Sequence, residues 1–157
     1  MARYAADTTV SVEKSRAEIE AVLRRYKAAA FGYATNANGA TVMFTLADRH
    51  IKFVLPLPEA SAREFTHTPA EGRLRTRENA ERAWEQACRQ RWRALALVIK
   101  AKLEAVSAGI TTIEDEFLAH TLLPDGSTAG QWMKPQIERA YQIGAMPEHL
   151  QIEGPRQ

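Results

Sequence analysis

One stretch limits what this chain can fold into more than any other. From Arg77 to about Ser107 apolar residues recur at helical spacing, and Gly109 stands where such a helix would stop. On a wheel of about 100° per residue, Trp84, Cys88, Trp92, Leu95, Ile99, Leu103 and Val106 fall in one sector roughly 100° wide. An apolar stripe that long must lie on another layer of structure. The two tryptophans belong to it as packing residues, since tryptophan at helical spacing fills a core far more often than it stacks on a base.

The rest of the chain supplies that layer. Between residues 7 and 58, "SRAE" at 15–18 reads as a capping box, and Ile19, Val22, Leu23 and Tyr26 continue it as an amphipathic helix to about Lys27. Residues 8–12 before it suit a short strand. Three β-rich runs follow, "AFGYAT", "TVMFTL" and "HIKFVLPL". "NANG" at 36–39 and "ADR" at 47–49 provide the tight turns between them. Alternation puts Phe31 and Tyr33, then Val42, Phe44 and Leu46, then Ile51, Phe53 and Leu55 on one side of each strand. Pro56 and Pro58 end the sheet. The expected arrangement is an antiparallel meander with the first helix on one face.

Residues 59–76 are polar and read as a loop ending in three arginines, Arg73, Arg75 and Arg77. Residues 77–143 are helical. "TTIE" at 111–114 is a second capping box, opening a short helix to about His120. "LPDGST" is a turn, and "TAGQ" at 128–131 caps a last helix in which Pro135 either makes a kink or marks a later start. The fold class is therefore α+β, a single domain over residues 1–150, with 151–157 a flexible tail. The chain of 157 residues is long enough to bury its own core without disulfides. Its single cysteine rules out an internal disulfide and suits a reducing cytosol. No apolar run approaches the ~18 residues of a membrane span.

The net charge of +2 excludes bulk basicity, so any nucleic-acid role must come from local pattern. The wheel offers one. Arg82, Arg89, Arg93 and Lys100 lie together opposite the apolar sector, with neutral Gln86 and Ala96 in the same line. The line runs roughly 27 Å at 1.5 Å per residue and could track a phosphate backbone. Arg73, Arg75 and Arg77 would extend it. The same residues could form an ordinary solvated face pinned by Glu78–Arg82 and Glu85–Arg89. Arg91 and Lys102 sit at the edge of the apolar sector, where long stems can snorkel over a core or meet a partner at a seam. Tyr33 or His50, on an open sheet face, is the best candidate for base stacking.

Catalytic signatures are missing: no GxGxxG, no P-loop and no GxSxG. His50, His67, His120 and His149 are scattered, and none pairs at HxH or HExxH spacing, so neither metal nor cofactor is expected. Cys88 reads as a small core residue. Glu114, Asp115 and Glu116 follow a helix cap, where carboxylates suit the dipole. As paired acids they could also hold Mg²⁺ in a nuclease.

The segments "QACRQRWRALALVIKAKLEAVSAGITTIEDEFLAH", "LPDGSTAGQWMKPQI" and "ARYAADTTVSVEKSRAEIEAVLRRY" together resemble a family of small phage and prophage accessory proteins. The resemblance carries over no catalytic residue. It implies a setting, the cytoplasm of an infected bacterium and DNA metabolism. With the cation line, that setting points to non-enzymatic, sequence-independent binding of single-stranded or duplex DNA in recombination or annealing, by a monomer or a homo-oligomer. It also admits an inhibitor or adaptor that binds a host complex, as anti-CRISPR proteins do.

Overall fold

The computed structural model describes residues 5, 7–36 and 39–146. Helix α1 spans Val12–Arg25, strands β1, β2 and β3 span Ala30–Asn36, Gly39–Leu46 and Arg49–Pro56, and a single turn, α2, spans Arg63–Thr66. The long helix α3 spans Arg77–Ser107, α4 spans Ile113–Phe117 and runs into a 3₁₀ turn over Leu118–His120, and α5 spans Ala129–Ile143. The α+β class and the three-stranded antiparallel sheet, in the order β1-β2-β3, agree with the sequence.

Both α1 and α3 cover one face of the sheet. Val42 pairs with Phe53 and Phe44 with Ile51, so their side chains share that face. Together with Ile19, Leu23, Trp92, Ile99 and Leu103 they form one buried cluster. Phe117 closes it at the β3 edge, its ring edge-on to Phe44 and Phe53. A bridge between Ile51 and Thr121 ties the 3₁₀ turn to that edge. The opposite face of the sheet is uncovered, with Met43 and Val54 exposed. Tyr33 pairs with Val42 and so lies on the helix side, not on the open face expected for it. His50 alternates to the open side, where its Nδ1 meets the Thr45 hydroxyl.

The helix starts differ from the sequence reading in two places. Ser11, not Ser15, caps α1, its hydroxyl accepting from the Lys14 amide. Starting one turn earlier puts Val12 against the core, so the strand expected over residues 8–12 does not form and Ser15 is buried. Thr112, not Thr111, caps α4 through the Asp115 amide. The box at Thr128 and Gln131 is reciprocal as expected, and Pro135 lies inside α5 rather than at a later start.

The ends of α1 and of the β2–β3 hairpin carry backbone strain. After α1, the Ala28 amide bonds to the Leu23 carbonyl and the Lys27 amide to that of Arg24, a Schellman closure. It requires a left-handed residue, and Lys27 supplies it at φ 62°. Ala47 and Asp48 form the two-residue hairpin turn with φ of 47° and 59°. The turn expected at 36–39 has residues 37 and 38 outside the described residues. There Gly39 is required by crowding, since a Cβ would come within 2.5 Å of the Leu55 carbonyl oxygen.

Residues 59–76 are more ordered than a loop. Phe65 of α2 is buried, and His67 bridges to Leu74. At the other end, α5 buries none of its residues and packs on the 3₁₀ turn, leaving Met133, Ile137 and Tyr141 exposed at four-residue spacing. The tail at 151–157 lies outside the described residues.

Candidate nucleic-acid interface

The line of cations expected along α3 is not a free face. Helix α1 lies against that side. Ala96, placed on the line by the wheel, is buried at 3% exposure, and Arg93 forms a partly buried ion pair with Glu18 of α1. Arg89 donates twice to the Gln86 amide oxygen, at 3.0 and 2.7 Å, and stands 3.9 Å from Glu85. Arg82 pairs with Glu78. Lys100 is exposed and makes no ion pair among the described residues, in a shallow depression with Leu97 and Val98. A single-helix wheel assumes one partner, and α3 has two, the sheet and α1. The small Ala96 was the available sign of a close helix approach.

The loop arginines fare differently. Arg73 pairs with Glu71 at 2.8 Å. Among the described residues the Arg75 guanidinium makes a long contact, 3.4 Å, with the Phe65 carbonyl and no ion pair. Arg77 opens α3 and makes no ion pair among the described residues. Arg75 and Arg77 border a cavity of about 590 Å³ whose far wall is Trp84.

Trp84 is the centre of the site. It is half-buried rather than core, and its indole N–H donates to the Pro58 carbonyl at 2.7 Å. That bond fixes the ring between the first cavity and a second, of about 360 Å³, between α1 and α3. The second is lined by Arg16, Arg89, Trp92, Glu13, Glu85 and Cys88 among others. The Arg16 guanidinium lies 4.5 Å from the ring centres of both Tyr33 and Trp92, a double cation–π contact. Its Nε is shielded from solvent and has no hydrogen-bond partner among the described residues. Sequence reading missed Arg16. Its only signal was its place beside the apolar stripe of the first helix, one turn after Val12.

Most of the remaining candidates have structural explanations; Arg91 has none. Glu116 accepts from Lys102 at 2.9 Å, and Lys102 also reaches the Glu116 carbonyl at 3.0 Å. Lys102, puzzling at the seam, therefore clamps α4 to α3. Asp115 accepts from the Thr112 hydroxyl. Arg91 is exposed and makes no ion pair among the described residues. Burial, followed by the charge of Glu85, pushes the Cys88 thiol up, so it stays protonated and is a poor nucleophile. Among the described residues no cluster of His, Cys, Asp and Glu could hold a metal ion, and no helix is long and apolar enough to cross a membrane.

No family model matches the chain, and no curated protein and no solved structure is significantly similar to it.

Proposed function

We propose that the protein binds nucleic acid by its phosphates, without reading sequence, as a non-enzymatic accessory to DNA recombination or annealing in a phage-infected bacterium. One observation carries the reading. The two cavities that share Trp84, taken together as one groove, hold Arg75 and Arg77 on one side of the ring and Arg16 and Arg89 on the other. Arg16, Arg75 and Arg77 make no ion pair among the described residues. Guanidinium forks suit phosphate oxygens, and a fixed indole offers a flat surface to an unpaired base. Single-stranded DNA fits this combination better than duplex, because its bases are free to stack.

Fluorescence anisotropy of a labelled single-stranded oligonucleotide tests it. One phosphate each on Arg75 and Arg77 and a third shared by Arg16 and Arg89 predict that log K falls with log salt at a slope of about −2. Arg75→Glu with Arg77→Glu should weaken binding at least tenfold for every sequence, while Arg82→Glu, outside the groove, should change it little. No binding at low salt would remove the proposal.

A second reading, docking on a host protein, is favoured by α5. Met133, Ile137 and Tyr141 present anchors at the spacing that a helix uses in an apolar groove. It predicts a protein complex that Ile137→Glu abolishes and Arg75→Glu leaves intact.

A further inference from the structure

The inner of the two cavities has features that a strand-tracking groove does not need. Arg16 is held before any ligand arrives. Its guanidinium is fixed 4.5 Å from the Tyr33 and Trp92 ring centres, so little side-chain freedom remains to be lost on binding. Among the described residues it makes no ion pair. Glu20, one turn along α1, is engaged by Arg24. Such a cation, drawn partly out of water and without an ion pair among the described residues, favours an anion. Arg89 supplies a second guanidinium, oriented by its two bonds to Gln86 and standing 3.9 Å from the Glu85 carboxylate.

The other lining narrows the ligand. Trp84, fixed by Pro58, provides an aromatic surface. Glu13 and Glu85 also border the cavity. Two carboxylates beside two guanidiniums disfavour a polyphosphate and leave acceptors for hydroxyl or amino groups. The volume of about 360 Å³ is near the lower end of small-molecule pockets, room for one nucleotide unit and not for a stretch of strand.

We infer that this cavity is a site for a nucleoside monophosphate group, its phosphate on Arg16 and Arg89 and its base against Trp84. The same chemistry comes from a free mononucleotide or from the 5′-phosphorylated end of a strand. The strand-end form rests on the nucleic-acid reading, and the free form does not.

Calorimetric titration of the full chain with adenosine 5′-monophosphate, adenosine and inorganic phosphate tests the site. The monophosphate should bind at least tenfold more tightly than either fragment, and Arg16→Gln should weaken it at least tenfold. Because Arg16 also packs on two rings, Arg89→Gln serves as a second variant, expected to cost at least fivefold, with thermal melts confirming that both are folded. A 5′-phosphorylated oligonucleotide outcompeting its 5′-hydroxyl counterpart at least fivefold, with the preference lost in Arg16→Gln, identifies the strand end. Equal competition with monophosphate binding intact identifies the free nucleotide. Monophosphate binding without any oligonucleotide binding would support the site while removing the nucleic-acid reading. No binding of the monophosphate at millimolar concentration, with no 5′ preference, overturns the site even where oligonucleotides bind. So does monophosphate binding that is indifferent to both substitutions.

Discussion

At the scale of single residues, the fold tolerates left-handed conformations where glycine would be cheaper. Lys27 closes α1 at φ 62°, and Ala47 and Asp48 make a hairpin turn that favours Asn-Gly. Replacing a strained non-glycine residue by glycine at such a position relieves steric cost that outweighs the added freedom of the unfolded chain. Lys27→Gly is expected to stabilise the protein by about 1 kcal/mol, and the pair Ala47→Asn, Asp48→Gly by a similar amount. Urea denaturation measures both, and a lowered midpoint for either would contradict the conformational account. These residues also explain why the end of α1 was hard to read. The reading carried it to Lys27, because no glycine marked the stop at Arg25. Its start was misplaced for a related reason. Ser11 and Ser15 both lie at cap-like positions, and only the burial of Val12 decides between them.

At the scale of elements, α3 shows what a helical wheel can and cannot recover. Its span and its Trp92, Leu95, Ile99 and Leu103 stripe were legible, because one periodic run dictated them. Its second contact, with α1, was not, since it depends on a helix far earlier in the chain, with Glu18 standing 75 residues before Arg93. The contact gives Arg93 a structural task. In a double-mutant cycle, Glu18→Ala and Arg93→Ala should each destabilise the protein, with a coupling of about 1 kcal/mol for this partly exposed pair. Zero coupling would mean that Arg93 faces solvent after all. The turn after α4 carries a pH response. The His120 ring stacks on Phe53 at 3.9 Å, and burial, then the nearby charges of Lys102 and Lys134, hold its pKa below the ordinary 6.5, against an opposing hydrogen bond to the Lys52 backbone. The unfolded chain therefore takes up the proton first. Stability from this group is fully present above pH 6.5 and declines as pH falls from there toward the depressed folded value. His120→Phe should flatten that part of the stability profile, as thermal melts across pH 7 to 5 would register. An unchanged profile would sink the assignment.

At the scale of the whole molecule, the meander, the first helix on its face and the α+β class followed from patterns within each segment, whereas the packing of α3 on the same face did not. The groove did not, because its walls come from α1, the segment after β3, the residues before α3 and α3 itself. Arg75 and Arg77 were candidates from the start and stand in it. Arg89 stands in it too, reached from the other side of Trp84. Arg82, Arg93 and Lys100 do not, and Arg16 joins from α1, where no charge pattern marked it. Tryptophan also changed its part: Trp92 is core, whereas Trp84 divides the two cavities. The central claim is that the groove, not the length of α3, meets nucleic acid. Its most direct measure is the salt dependence of single-stranded oligonucleotide affinity in the unmodified chain and in two charge-reversed variants. The groove account predicts that Arg75→Glu with Arg77→Glu reduces both the affinity and the steepness of the salt slope, by about 1.4 for two lost phosphate contacts, while Arg82→Glu leaves both nearly unchanged. Equal losses in the two variants, or a loss confined to Arg82→Glu, would contradict it.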